Sequence, residues 1–245
     1  LFATAVLTLC FSTVQLIGVS AGLLSVAATG DELMTSVSMR LAIALIALGP
    51  LAVGSINAAR EELVRRLQHT ANHDGLTDAL TRTAFPKQAR RMLDTSVGDS
   101  RHAAVLMLDL DRFKSINDGY GHAVGDRVLI EASEAIRGVL RPEDLFGRMG
   151  GEEFAILLTG LAPADARAAA ERIRRTIERL AFDVERIRLH VTVSIGLASN
   201  HGEARELRDM LIAADRAVYA AKDGGRNRVV AEDVPHPVKG QRTAA

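Results

Sequence analysis

The stretch AAVLMLDLDRFKSINDGYGHAVGDRVL, Ala103 to Leu129, begins with six apolar residues and then turns abruptly acidic at Asp109-Leu110-Asp111. An uncharged apolar run of this length predicts a buried strand. Side chains alternate along a strand, so Asp109 and Asp111 face one side and Leu110 the other. Carboxylates held on a rigid strand end suit a hard, oxygen-liganded cation such as Mg²⁺. They suit equally well a solvated strand end that caps the following helix. Beyond them, Val124 to Val139 is amphipathic, with Val128, Leu129, Ala132, Ile136 and Val139 on one helical face.

Working outward, the same alternation of elements continues. Thr83 to Leu93 reads as a helix, Phe154 to Leu158 (FAILL) as a strand, and Pro163 to Leu180 as a helix with proline in its first turn. Leu189 to Leu197 alternates as one strand. Glu206 to Lys222 reads as a final helix stopped by Gly224-Gly225. The expected fold is α/β (α+β), a mixed sheet with helices covering it. Between the helix ending near Val139 and the FAILL strand lies Arg148-Met149-Gly150-Gly151-Glu152-Glu153. Gly-Gly between strand-like residues signals a tight hairpin, and glycine lets a ligand approach the backbone. Two adjacent glutamates repel each other, and a divalent cation relieves that repulsion. Taken alone, an ordinary hairpin with exposed charge explains the residues too.

Charge is distributed unevenly. Of 30 Lys+Arg and 30 Asp+Glu, only Asp31, Glu32 and Arg40 precede Arg60. Leu1 to Gly30 and Leu41 to Ala59 carry no charge, and a spanning helix needs about 20 mostly apolar residues. Two transmembrane helices are therefore expected over 1–59. Arg60, Arg65 and Arg66 follow them and place that side in the cytoplasm by the positive-inside rule. The first residue is Leu1, not Met, so the chain is expected to be a fragment. Residues 60–73 are expected to form a linker helix, with Ile56, Leu63, Leu67 and Thr70 at coiled-coil spacing. A disordered tail is expected over 231–245. The single Cys10 excludes an internal disulfide. Zero net charge, no Trp and 4% aromatics argue against a nucleic-acid partner. No GxxxxGK[ST] motif occurs, which argues against Walker-type hydrolysis.

Four motifs in order give these observations a common source. RMGGEEF (148–154) resembles the signature of the GGDEF family of diguanylate cyclases, in its GGEEF form. LDLDRFKSINDGYGHAVGDRVL (108–129) is similar to that family's other long motif. HDGLT (73–77) resembles its usual start and AKDGGRNRV (221–229) its usual end. The similarity covers 74–230. Departures are Thr81-Arg82, where Asn-Arg is common, and Arg112, where an aromatic or histidine is frequent.

The resemblance implies a fold like the palm of nucleotide cyclases and polymerases, with a mainly antiparallel sheet. It implies a nucleotidyltransferase that condenses two GTP into cyclic di-GMP and releases two pyrophosphates. Two Mg²⁺ ions per active site, with Mn²⁺ as a substitute, would be bound by Asp109, the Leu110 carbonyl, Glu152 and Glu153. Glu152 would take the proton of the attacking 3′-hydroxyl, with Glu153 assisting at the metal. Asn117 and Asp126 would read guanine, whose N1–H and N2–H₂ donors match a carboxylate. Asp126 could instead cap its helix, or do both. Phe113, Lys114, His122, Gly150, Gly151, Lys222 and Arg226 would complete the substrate site. Arg141, Asp144 and Arg172 would form an inhibitory site for the product. Because one domain binds one GTP, a homodimer through membrane and linker helices is implied. The implied location is the bacterial inner membrane, multi-pass, with the catalytic domain in the cytoplasm. A catalytically inactive receptor or scaffold of the same fold is the alternative.

Overall fold

The structure, a computed structural model, describes Thr13, Ile17 and residues 53–95, 102–184, 187–203 and 205–232. The chain divides into two compact units, Leu1–His69 and Thr70–Ala245. The described chain is helical over 53–72, helix α1, of which 53–69 belong to the first unit. Ile56, Leu63 and Leu67 on α1 are 65%, 58% and 61% exposed, so the expected apolar stripe exists and is uncovered. Among the described residues no helix is long and apolar enough to cross a membrane. The two expected spans lie outside the described residues, except for Thr13, Ile17 and 53–59.

The second unit contains α2 (Ala84–Thr95), β1 (Ala103–Leu110), α3 (Phe113–Tyr120), α4 (His122–Arg137), β2 (Leu145–Gly150), β3 (Glu153–Thr159) and α5 (Pro163–Arg179). It continues with β4 (Ala181–Val184), β5 (Ile187–His190), β6 (Val193–Ser199), α6 (Leu207–Asp223) and β7 (Val229–Ala231). Five strands form one sheet in the order β2-β3-β1-β6-β7, and β4 and β5 form a separate hairpin. All neighbours in the large sheet are antiparallel except β6 and β7. The mainly antiparallel mixed sheet matches the expectation.

The central position of β1 explains its uninterrupted apolar sequence. Leu106, Leu108 and Leu110 enter a core under α4 and α5 with Phe154, Ile156, Ile173 and Ile195. Val105 enters a second core on the opposite face, under α2 and α6, with Phe85, Leu157 and Met210. Gly196 on β6 is the close-approach point of this second layer. A Cβ there would collide with the Ala214 carbonyl and the Val218 amide of α6. Its absence lets the α6 backbone rest directly on the sheet, which brings Lys222 at the end of α6 to the acidic end of β1.

Several expected boundaries move. The run Leu189 to Leu197 is two strands in two sheets, β5 and β6, because the chain changes direction between His190 and Val193. The short elements α3, β4 and β7 add to the expected order. Ala231 lies in β7, and Glu232 is held by an ion pair to Arg205 at 2.8 Å, so order persists past 230. Residues 233–245 lie outside the described residues. Thr81, at one departure from the family pattern, accepts a hydrogen bond from the Ala84 amide on its Oγ1 and caps α2 as an Asn would.

Candidate active site

Asp109, next to the last residue of β1, is 6% exposed. Residues paired across antiparallel strands share a face, and Asp109 pairs with Glu153 of β3. The Leu110 amide donates to the Glu152 carbonyl at 3.3 Å, tying the strand end to the Gly150-Gly151 hairpin. From the other side Lys222 donates from Nζ to Asp109 Oδ2 at 2.6 Å. Burial pushes the Asp109 carboxyl above its ordinary range; Lys222 pulls it back, and the charges of Glu152 and Glu153 add to the rise. A cleft of about 180 Å³ opens here, lined by Asp109, Glu153, Asp215, Tyr219 and Lys222 among others. Glu152 stands in the turn before β3, near enough for its charge to act on Asp109.

This donor set fits a divalent cation. Its groups are carboxylate and backbone oxygens, the ligands that Mg²⁺ takes. Like charges directly opposite on neighbouring strands are destabilising, and a positive charge, that of Lys222, already sits against Asp109. The paired carboxylates Asp109 and Asp111 have divided their roles. Asp111 accepts from Thr192 Oγ1 (2.6 Å), Ser194 Oγ (2.7 Å) and the Asn227 amide (3.1 Å). With three donors it is a brace between β1, β6 and the loop after α6.

The second half of the site lies on α3 and α4. A Cβ on Gly125 would collide with Asn117 Oδ1 and press on the Phe113 ring. The missing side chain thus seats Asn117 against the turn of α4 that carries Asp126. Asp126 is the fifth residue of α4, so it is not an N-cap; Gly121 holds that position. Asp126 and His122 are exposed, as is Lys114. Phe113 is 5% exposed and belongs to the core. Arg226 lies beyond the end of α6 with φ 65°, so it does not align with Lys222 along a helix. It lines a cleft of about 550 Å³ with Arg112, Ser115, Tyr120, His190 and Thr192.

The third group also converges. Arg141 and Asp144 close one turn, with the Arg141 amide donating to Asp144 Oδ2 at 2.8 Å. Arg172 of α5 donates to the Val139 carbonyl at 3.2 Å and contributes its charge at Asp144. Asp144 Oδ1 is buried without a hydrogen-bond partner, and burial raises the Asp144 carboxyl above its ordinary range. A buried acceptor left unpaired is costly.

Comparison with known proteins agrees with this geometry. The family model described as "Diguanylate cyclase, GGDEF domain" matches residues 71–228. The chain belongs to the GGDEF diguanylate cyclase family. The probable diguanylate cyclase DgcF of Escherichia coli (strain K12) is 36% identical over 195 residues, 78% of this chain and 61% of that protein. The bifunctional diguanylate cyclase/cyclic di-GMP phosphodiesterase MucR of Pseudomonas aeruginosa is 39% identical over 163 residues. That alignment covers 66% of this chain and 24% of MucR, so the chain spans only part of the length of these relatives. The coiled coil and GGDEF domain of DgcB from Caulobacter crescentus, in complex with c-di-GMP, superimposes with a TM-score of 0.67 at 30% identity. It covers 76% of this chain and 98% of the DgcB chain. The diguanylate cyclase SiaD from Pseudomonas aeruginosa, in complex with its activator SiaC, gives a TM-score of 0.64 at 31% identity. It covers 94% of this chain and 88% of the SiaD chain.

Within this GGDEF domain, one connection has no counterpart in the sequence reading. Arg148 donates from Nη1 to Asp74 Oδ1 at 2.9 Å, and from Nε and Nη2 to the Gly151 carbonyl at 3.0 and 2.8 Å. Asp74 Oδ1 also accepts from the Thr77 amide and Thr77 Oγ1. The turn that opens the GGDEF domain is thereby pinned to its signature hairpin. Burial opposes ionisation of Asp74, but the bonds from Thr77 and Arg148 hold its carboxyl below the ordinary range. A depressed carboxyl contributes stability above the unfolded value, 3.8, and loses it as pH falls through the folded value. Asp74→Asn keeps an acceptor and removes the charge. It is expected to cost about 1–2 kcal/mol at pH 7 and less near pH 3, because the contribution begins to fall below the unfolded value. Urea unfolding at the two pH values checks this; an equal cost at both contradicts it.

Proposed function

We propose that this chain is a diguanylate cyclase that condenses two GTP into cyclic di-GMP. The observation that carries the reading is Asp109, buried at the end of β1 in register with Glu153 and tied to the Glu152 carbonyl. Bound Mg²⁺, two ions per active site with Mn²⁺ as a substitute, neutralises triphosphate charge and polarises the reacting phosphate. Asp109, the Leu110 carbonyl, Glu152 and Glu153 are the residues to hold it. Glu152 accepts the proton of the 3′-hydroxyl. The main chain at 150–151 and the cations Lys114, Lys222 and Arg226 orient the triphosphate. Arg112, which shares a cleft with Arg226, adds a further positive charge there.

Asn117 and Asp126 face guanine from α3 and α4. Bound guanine buries Asp126 and satisfies its oxygens with N1–H and N2–H₂; adenine lacks that donor pair and would strand a buried acceptor. Gly125→Ala is expected to displace Asn117 and raise KM for GTP roughly tenfold, about 1.4 kcal/mol, with the fold retained. Steady-state kinetics on the variant check it, and an unchanged KM removes Asn117 from the guanine site.

Each protomer supplies half of the reaction, so the active form is a homodimer joined through α1 and the apolar segments before it. Those segments span the bacterial inner membrane in this reading and leave the GGDEF domain in the cytoplasm, supported by their lack of charge and by Arg60, Arg65 and Arg66. Product returns to Arg141, Asp144 and Arg172, where Asp144 Oδ1 accepts from guanine and the arginines grip phosphate. The test incubates the purified protein with Mg²⁺ and GTP, ATP or both and identifies the products. Cyclic di-GMP from GTP alone is expected, with inhibition by added product that Arg141→Ala abolishes. A dinucleotide containing adenine, or no turnover, overturns the assignment. Equal product binding by wild type and Arg141→Ala in calorimetry overturns the feedback site.

A further inference from the structure

Lys222 occupies an unexpected place for a residue meant to hold triphosphate. Its ammonium lies 2.6 Å from Asp109 Oδ2, on the carboxylate assigned to the metal. The contact is built in by packing. Gly196 lets the backbone of α6 rest on the sheet, and Lys222 stands in the last turn of that helix. Asp109 itself is buried and faces Glu153, so without a cation it would stand as an uncompensated charge beside another carboxylate. Lysine is suited to a temporary hold. Its charge is a compact point on a flexible four-carbon stem, and the Lys222 side chain is 33% exposed, so it has an open route away.

An ion at about 2.1 Å from a carboxylate oxygen and an ammonium hydrogen-bonded to the same carboxylate would be close, like-charged neighbours. They repel, so each weakens the hold of the other on Asp109. We propose that Lys222 is a resident counter-ion that holds Asp109 until a divalent cation arrives, is displaced by it, and only then becomes free to bind phosphate. The same residue therefore opposes metal binding in the absence of nucleotide and favours triphosphate once the metal is seated. Linkage requires the effect to be reciprocal: metal binding raises the affinity for polyphosphate through the freed ammonium. The inference rests on the reading of Asp109 as a metal ligand.

The test uses the 245-residue chain, Mn²⁺ as the probe and no nucleotide, with affinity measured by calorimetry and by the loss of the free-ion electron paramagnetic resonance signal. Lys222→Met is expected to bind Mn²⁺ at least about fivefold more tightly than wild type, because the internal competitor is gone. Arg226→Met removes the same charge four residues on, away from Asp109, and is expected to stay within about twofold of wild type. Lys222→Arg keeps a cation against Asp109 and is expected to behave like wild type. Unchanged or weaker Mn²⁺ binding in Lys222→Met overturns the proposal. So does an equal gain in Arg226→Met, which would reflect net charge alone. Asp109→Asn reports on the metal assignment separately. Loss of Mn²⁺ binding there sustains it, and binding equal to wild type overturns the assignment and the counter-ion role together.

Discussion

Glu152→Gln is expected to abolish cyclic di-GMP synthesis, by at least about a thousandfold, while leaving the fold intact. The structure separates the two effects. The bond that fastens the hairpin to β1 runs from the Leu110 amide to the Glu152 main-chain carbonyl, which glutamine keeps. Only the side-chain charge is lost, and with it the proposed metal ligand and the proposed base for the 3′-hydroxyl. Product chromatography at saturating GTP measures the loss, and circular dichroism verifies the fold. Activity within about tenfold of wild type, a mere 1.4 kcal/mol of barrier, would remove Glu152 from the chemistry.

Leu63→Glu is expected to convert the protein from dimer to monomer and lower specific activity by about a hundredfold at low protein concentration. In heptad terms Val53, Arg60 and Leu67 fall on one seam position and Ile56, Leu63 and Thr70 on the other. Leu63 is 58% exposed in the single chain, so its substitution removes nothing from the protomer's own core. A glutamate there places like charges together only where two copies meet. Sedimentation in detergent and activity as a function of concentration test this, and raising the concentration should restore turnover. A variant that stays dimeric and fully active shows that the stripe is not the dimerising surface.

Local signals in the sequence were legible where one element carried them. The apolar run of β1 and the acidic residues at its end sit on one strand, and the Gly150-Gly151 turn is a contiguous signal. Other features depend on tertiary contacts. Asp74 and Arg148 are 74 residues apart, and only the packing of the opening turn along β2 joins them. Phe113 occupies a motif of site residues yet turns into the core, since α3 is a short amphipathic helix whose inner face needs an aromatic. The run from Leu189 to Leu197 contains neither Gly nor Pro before Ile195, so nothing local marks the passage from β5 to β6. Gly125 and Gly196 read as ordinary helix and strand glycines until the neighbouring element is in place above them. Asp109 and Asp111 share a strand end and a side chain type, and only the three donors around Asp111 distinguish brace from ligand.

The central position of β1 has a consequence for backbone opening. Its amides and carbonyls are paired on both sides, to β3 and to β6, and both of its faces are covered by helices. Amide protons in such a strand exchange with solvent only when the whole domain unfolds, whereas an exposed turn exchanges through small local fluctuations. Asp109 belongs to the first class and Gly150-Gly151, both exposed, to the second. The proposed metal site therefore joins the slowest-exchanging backbone of the domain to some of its fastest. In deuterium-exchange measurements, metal and nucleotide should slow the hairpin by orders of magnitude and leave the centre of β1 at the global limit it already has.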